Sequence, residues 1–181
     1  MRDIPHLSGG ASVLELGCGD GKTLAGMPGS WKIAALDVSP QALRLTRRVL
    51  PDIRLILADA GLLPFQEESF DAVFAFHVTG HLCLQGREAL AREVARVLFR
   101  GGKLFFREFG TEDMRMGQGE AVEEGTYLRG AGILTHYFTE VEVELLFCDL
   151  LPISVSTHRW RLRVKGKDMA RSEVEAVFLK D

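Results

Sequence analysis

The sequence predicts a doubly wound α/β fold, three layers α/β/α around a mostly parallel seven-stranded sheet. Three observations carry that expectation. Short runs rich in Val, Ile, Leu and Phe recur at 13–16, 33–36, 53–57 and 72–76 without alternating with polar residues, as strands buried on both faces of a parallel sheet do. Segments with apolar residues at helical spacing lie between them. The first run also closes on a glycine-rich stretch, LELGCGDGKT, at the strand end where open α/β sheets bind ligands.

Taken in order, strand 13–16 leads into the glycine loop. Pro28 and Gly29 then limit the following helix, begun by Lys22 and Thr23, to a short one. The second strand runs into AALDVSP, which places Ser39 as N-cap and Pro40 at the first position of a helix over 40–50. That helix turns Leu43, Val49 and Leu50 to one side before Pro51 ends it. After the strands at 53–57 and 72–76, a helix over 87–99 sets Leu90, Val94, Val97 and Leu98 at helical spacing, and Gly101-Gly102 stops it. A fifth strand spans 103–109. The pattern then dissolves into charges and glycines over 110–131, GTEDMRMGQGEAVEEGTYLRGA, which predicts an insertion reaching about residue 135 and of a length that usually serves function. A helix over 140–147 with Thr139 as N-cap, and strands around 155–164 and 172–179, bring the strands to seven in one domain spanning 1–181.

Composition narrows the class. A chain of 181 residues, 46% hydrophobic and 26% charged, suits one soluble globular domain. No apolar run approaches the ~18 residues that span a bilayer, and the opening MRDIPHLSGG lacks the apolar segment of a leader. Cys18, Cys83 and Cys148 are scattered, with no CxxC pair, so neither a disulfide framework nor a zinc site is indicated. A cytoplasmic chain with no membrane association and no metal is therefore expected. The net charge of −3 argues against a general nucleic-acid coat but leaves room for a local basic patch.

The glycine loop fails two familiar templates. A P-loop, G-x-x-x-x-G-K-S/T, ending at Gly21-Lys22-Thr23 needs a glycine where Leu16 stands, and G-x-G-x-x-G needs one where Lys22 stands. What remains is Glu15, Gly17, Gly19 and Gly21 at two-residue spacing, a loop that lets backbone approach a ligand lacking a pyrophosphate. Here the chain resembles the class I S-adenosylmethionine-dependent methyltransferases: VLELGCGDG matches their first motif, and the resemblance extends over almost the whole chain. It implies a Rossmann-like methyltransferase fold with S-adenosyl-L-methionine as cofactor, held by Glu15, Gly17, Cys18, Gly19, Gly21, Asp37, Val38, Asp59, Ala60 and the backbone of His77. Asp37 stands where an acid accepts from both ribose hydroxyls, Asp59 where the family's adenine-contacting acid lies, and Glu15 where it holds the loop. Taken singly, either Asp is equally a cap for the turn that follows it.

FDAVFAFHVTGHL and REVARVLFRGGKLFFREFG resemble the fourth strand, its helix and the fifth strand of the same family. His77, His81 and Cys83 sit close enough in sequence to suggest metal, but no fourth ligand is evident.

Methyl transfer from a sulfonium is an in-line displacement. The protein mainly aligns donor and acceptor, and a base is needed only if the acceptor must lose a proton. Candidates for a base at strand or loop ends are His77, Glu108 and His136; each is equally readable as a solvated or capping residue. LFFREFGTEDMRM and GTYLRGAGILTHYFT are similar to the eukaryotic methyltransferase-like enzymes that make 3-methylcytidine in tRNA. That similarity implies Arg107 and Glu108 flanking a flipped-out base, Tyr127 or Tyr137 stacking on it, and Arg129 and His136 on the substrate side. The alternative is a strand-end ion pair with ordinary core aromatics.

In SVSTHRWRLRVKGK, Arg159, Arg161, Arg163 and Lys165 point one way along a strand and Trp160, Leu162 and Val164 the other. The stripe either tracks phosphates or guards an edge strand by charge. The tRNA enzymes carry a sizeable segment before their first motif that closes the cofactor site, whereas about a dozen residues precede Val13 here. The cover is therefore expected from the insertion or from a second subunit, as a homodimer or partner, unless the acceptor is a small molecule. A partner-activated cofactor-binding subunit without efficient catalysis is the alternative function. A nicotinamide dehydrogenase is disfavoured by Lys22 in place of the third glycine.

Overall fold

The computed structural model of the chain describes residues 7–130 and 132–181; the first six residues of the opening stretch, and Ala131 at the end of the inserted segment, lie outside it. Strands β1 (Ser12–Leu16), β2 (Lys32–Asp37), β3 (Arg54–Leu57), β4 (Phe70–Phe76), β5 (Leu98–Phe109), β9 (Leu151–Val164) and β10 (Lys167–Leu179) form one sheet in the order β3-β2-β1-β4-β5-β10-β9. Neighbours pair in parallel from β3 to β5, and β10 runs antiparallel to both β5 and β9. The order reverses between β1 and β4, so the loops leaving these two strands diverge and leave a crevice at their carboxyl ends.

Helix α1 (Pro40–Val49) begins where expected. The Ser39 hydroxyl accepts from the Ala42 amide at 3.3 Å and Pro40 opens the first turn. The helix after β1 is reduced to one 3-10 turn, Leu24–Gly26. Helices α2 (Leu84–Val97) and α3 (Glu140–Leu146, capped by the Thr139 hydroxyl on the Glu142 amide at 3.2 Å) cover the other face. That face buries Leu14, Leu16, Val73, Phe106 and Phe178 against Leu90, Val94, Val97, Val143 and Phe147. The α1 face buries Val13, Phe74 and Phe105 with Trp31 and Met27. Fully burying a side chain such as Leu90 contributes about 1.5–3 kcal/mol.

Three expectations need correction. The helix predicted over 87–99 spans Leu84–Val97, and Leu98 already belongs to β5. The two glycines do not stop a helix; they form an irregularity inside the strand, where register passes from Phe70↔Leu98 to Ala72↔Lys103. A Cβ on Gly102 would come within 2.8 Å of the Phe99 carbonyl, so only glycine fits there. The inserted segment, for which the sequence predicts no strand, holds three: β6 (Glu120–Glu123), β7 (Thr126–Arg129) and β8 (Ile133–His136) make a separate antiparallel sheet. Its inward residues Thr126, Thr135 and His136 are polar, so the strands carry no apolar alternation to read.

Candidate active site

The loop after β1 owes its shape to glycines. Gly17, Gly19 and Gly21 have φ of 66°, 55° and 82°, values that L side chains rarely adopt. Gly17 lies against Val78, which follows β4; an added Cβ would fall 2.7 Å from Val78 Cγ2 and 2.8 Å from its Cβ. Asp37, at the end of β2, clamps the loop. Its Oδ2 accepts from the Gly19 amide at 2.9 Å and its Oδ1 from the Ser39 amide at 2.8 Å. Thr46 on α1 donates its hydroxyl to the Gly19 carbonyl at 2.8 Å.

Beneath the loop Glu15 is buried. Burial pushes its carboxyl up to about 8, with Asp37 adding to the effect and a hydrogen bond to Thr23 opposing it. That shift favours the protonated acid at neutral pH, beneath the loop.

Above these residues opens a cavity of about 370 Å³, lined by Gly17, Gly19, Leu36, Asp37, Val38, Ala58, Asp59, Ala60, His77, Val78, His81 and Leu82. That size suits a small organic ligand. Seven of the residues expected around a cofactor line it: Gly17, Gly19, Asp37, Val38, Asp59, Ala60 and His77. Glu15, Cys18 and Gly21 do not. Cys18 is buried, its amide spent on the Leu36 carbonyl at 3.0 Å, and Gly21 backs onto Thr46. Sequence reasoning missed Leu36 and Ala58, which precede the two aspartates, and Val78, His81 and Leu82, which arrive around a 3-10 turn, Thr79–His81, rather than through a helix with readable spacing. A nucleoside bearing a sulfonium fits this lining. Asp37 has lone pairs left for hydroxyl donors, Asp59 is exposed, and the glycines leave backbone open to the ligand.

The expected pair Arg107 and Glu108 does not flank one space, because consecutive strand residues face opposite ways. Arg107 joins the α1 face, its guanidinium 4.6 Å from the Phe76 ring centroid and its Nε 3.0 Å from Glu175 Oε1. Glu108 turns to the other face. It is 2% exposed and accepts from the Gly80 amide at 2.8 Å, so it anchors the turn that lines the cavity and is closed to an incoming acceptor. Burial pushes its carboxyl up to about 8. His77 has φ of 55° and lies 3.8 Å from Glu108 Oε2, beyond hydrogen-bond range. Burial, then Arg107, His81, Arg115 and Arg171, lower its imidazole to about 4. His77 is therefore neutral at pH 7 and a weak base.

His136 also departs from expectation. It is 2% exposed, with Nδ1 2.7 Å from Thr126 Oγ1 and Nε2 2.6 Å from Glu142 Oε1, tying β7, β8 and α3 together away from the cavity. Arg87 reinforces that joint, reaching Glu123 at 3.2 Å. The other substrate-side residues do meet. Tyr127 and Tyr137 lie 6.1 Å apart ring to ring, and Arg129 donates to the Tyr137 hydroxyl at 3.3 Å, although Tyr137 itself is buried. Rings continue inward from there, Tyr137 to Phe109 at 6.5 Å and Phe109 to His77 at 4.7 Å, so an aromatic path joins the insertion to the cavity wall. The Arg115 guanidinium lies 3.9 Å above Phe109, held through Nε to Asp113 at 2.8 Å. His81 fixes the insertion to the same wall, with Nδ1 2.7 Å from the Leu134 carbonyl. Among the described residues no group of three or more His, Cys, Asp or Glu is arranged to hold a metal ion, and no helix is long and apolar enough to cross a membrane.

The profile of the methyltransferase domain family matches residues 14–106, more than half of the chain. The chain is 30% identical over 148 residues to a tRNA N(3)-methylcytidine methyltransferase, Mettl2, of Drosophila melanogaster, covering 73% of this chain and 46% of the fly protein. It is 33% identical over 126 residues to a malonyl-(acyl-carrier protein) O-methyltransferase of Halorhodospira halophila, covering 65% and 41% respectively. The chain thus spans less than half the length of these curated relatives. Among solved structures, an S-adenosylmethionine-dependent methyltransferase of Methanosarcina mazei superposes with a TM-score of 0.77 at 23% identity, over 97% of this chain and 95% of that one.

Proposed function

Because the chain belongs to the methyltransferase domain family, we propose that it transfers a methyl group from S-adenosylmethionine to N3 of cytidine in tRNA, in the cytoplasm. In this reading the cofactor lies in the 370 Å³ cavity, with Asp37 receiving the ribose hydroxyls, Asp59 facing the adenine, and Gly17 and Gly19 admitting the amino-acid end. When bound, S-adenosylmethionine supplies an electrophilic methyl on a sulfonium. The chain's residues orient the acceptor and keep water away. N3 of cytosine carries a free lone pair, so no general base is required. This suits a site whose candidate bases are poor ones: burial lowers the His77 imidazole to about 4, and Glu108 is sealed below the turn.

The observation that carries the acceptor is the partly exposed Tyr127 ring beside Arg129, at the outer end of an aromatic path that runs inward over buried Tyr137 to Phe109, with Arg115 above it, and His77. Ring faces and guanidinium planes are the surfaces on which unstacked bases rest. The fly relative, named for this modification, supports the same choice. The sheet of β6, β7 and β8 walls the acceptor side in this reading. A second subunit completing that wall is the form in which a partner or homodimer would contribute.

The test is incubation with methyl-labelled cofactor and bulk tRNA, followed by nucleoside digestion. Label should co-migrate with 3-methylcytidine and vanish in Asp59→Ala. Label that enters only small-molecule or protein fractions overturns the acceptor. Absence of S-adenosylhomocysteine binding by calorimetry overturns the activity.

A further inference from the structure

The ladder between β9 and β10 runs from Leu151↔Leu179 out to Val164↔Lys167, but the ladder between β10 and β5 stops at Glu173↔Phe109. Past that point the Gly110 and Met114 amides still donate to the Ser172 and Ala170 carbonyls at 2.9 Å each, and residues 159–169 overhang the sheet as a two-stranded ribbon, on the end where β5 finishes beside His77 and the cavity opens. Lys165 and Gly166, with φ of 48° and 80°, close the ribbon in a tight turn with both central residues left-handed. Its root is pinned to the site. The Arg171 guanidinium lies 5.4 Å from the Phe109 ring and 5.3 Å from Trp160, and its Nε donates to the buried Asp113 at 2.6 Å.

Residues 159–171 hold six Lys and Arg against one Asp, in a chain of net charge −3. Arg159 is engaged by Glu112, and exposed Arg163 faces exposed Asp168 at 3.6 Å; Arg161, Lys165 and Lys167 are exposed. A guard against strand pairing would place charge along the sheet's own edge. The opposite is found. The part of β9 that borders the sheet, LPISVST over 151–157, has no charged residue and leaves Leu151 and Ile153 about half exposed. The cations lie only on the overhang, where there is no broad sheet to protect and little core to cover, and an isolated hairpin gains little stability from its own length.

We propose that this ribbon is a docking arm for the phosphate backbone of RNA, holding the nucleic acid while a base enters the aromatic path. Arg161 and Arg163 lie two residues apart on the strand, about 6.6 Å, and Lys165 sits in the turn just beyond, a spacing at which each can neutralise a separate phosphate. The arm rests on the tRNA reading above and extends it from the base to the backbone.

The experiment measures binding of an unmodified tRNA transcript across a salt series, for the wild type and for R161Q/R163Q/K165Q, with S-adenosylhomocysteine affinity as the control for fold and cofactor site. The wild type should weaken as salt rises. The variant should bind at least ~tenfold more weakly at ~0.1 M salt, with a log–log salt slope smaller by about 2–3, and with cofactor-product affinity unchanged. Equal tRNA affinity and equal slope in the two proteins overturn the arm and leave the tRNA reading standing. A wild type with no salt-dependent tRNA binding overturns both. Binding to phosphatidylglycerol–phosphatidylcholine vesicles through these three residues, without tRNA binding, makes the ribbon a membrane contact and overturns the proposal.

Discussion

Substituting alanine at Gly17 and, separately, at Gly19 divides two effects that usually arrive together. Both glycines have positive φ, 66° and 55°, so each alanine meets a left-handed backbone cost of roughly 1–2 kcal/mol. Their surroundings differ. At Gly19 the nearest atom to a new Cβ is the Gly17 carbonyl oxygen at 4.0 Å, ordinary contact. At Gly17 it is Val78 Cγ2 at 2.7 Å with Val78 Cβ at 2.8 Å, and a β-branched side chain cannot swing clear as a long one can. Overpacking of that kind costs about 1–3 kcal/mol more. Val78 is a wall of the cavity, so the displacement falls on the ligand as well as on stability. Gly17→Ala should weaken S-adenosylhomocysteine binding some 5- to 150-fold more than Gly19→Ala does, the factor that ~1–3 kcal/mol implies. Calorimetric titration of the two variants, with melting curves alongside, measures it. Equal losses, or a Gly17→Ala protein that binds like the wild type, would refute the contact as the reason for glycine there.

Two further outcomes follow from the buried groups. Glu15 and Glu108 hold their protons up to about pH 8 when folded, against an ordinary 4.5, so the stability they contribute is greatest at low pH and falls as pH rises through about 8; His77, lowered to about 4 from 6.5, opposes them only below about pH 6.5. Melting temperature should therefore rise as pH drops from 8.5 to 6.5 and go on rising, at about half that slope, down to about pH 4.5, where the unfolded carboxylates take up their own protons. Glu108→Gln, which keeps an acceptor for the Gly80 amide, should remove about half of that slope, at most about 1.4 kcal/mol per pH unit; parallel curves for variant and wild type over this window would count against a protonated Glu108. His136→Ala leaves Thr126 and Glu142 without their ring partner and should destabilise the joint between insertion and α3 by about 1–3 kcal/mol. Hydrogen exchange should then quicken in β7 and β8 while β1 and β4 stay protected, and uniform acceleration over the chain would contradict a local role.

The central sheet was legible because its interior is apolar on both faces, and a run such as VLEL followed by glycines needs no tertiary information to be read as a buried strand. The glycine loop, Asp37 and Asp59 were legible for a related reason: in a parallel sheet the ends of successive strands gather on one side, so order along the chain becomes proximity in space. The insertion was not, because Thr126 and His136 bury polar groups by pairing with each other and with Arg87 and Glu142 outside it, and paired polarity leaves no periodicity behind.

Residue type and order thus determined the fold class, the cofactor-side crevice and most of its lining. Tertiary structure decided which way each strand-end side chain points. It turned Arg107 and Glu108 to opposite faces, sealed Glu108 beneath the Thr79–His81 turn, and drew Phe109, Tyr137 and Tyr127 into one path from His77. It also carried the basic half of β9 beyond the sheet, through a ladder whose length only its partner strands reveal. The physical reason is range. Burial and backbone preference act on a residue and its neighbours in sequence, whereas facing, pairing and overhang depend on contacts between segments far apart in the chain.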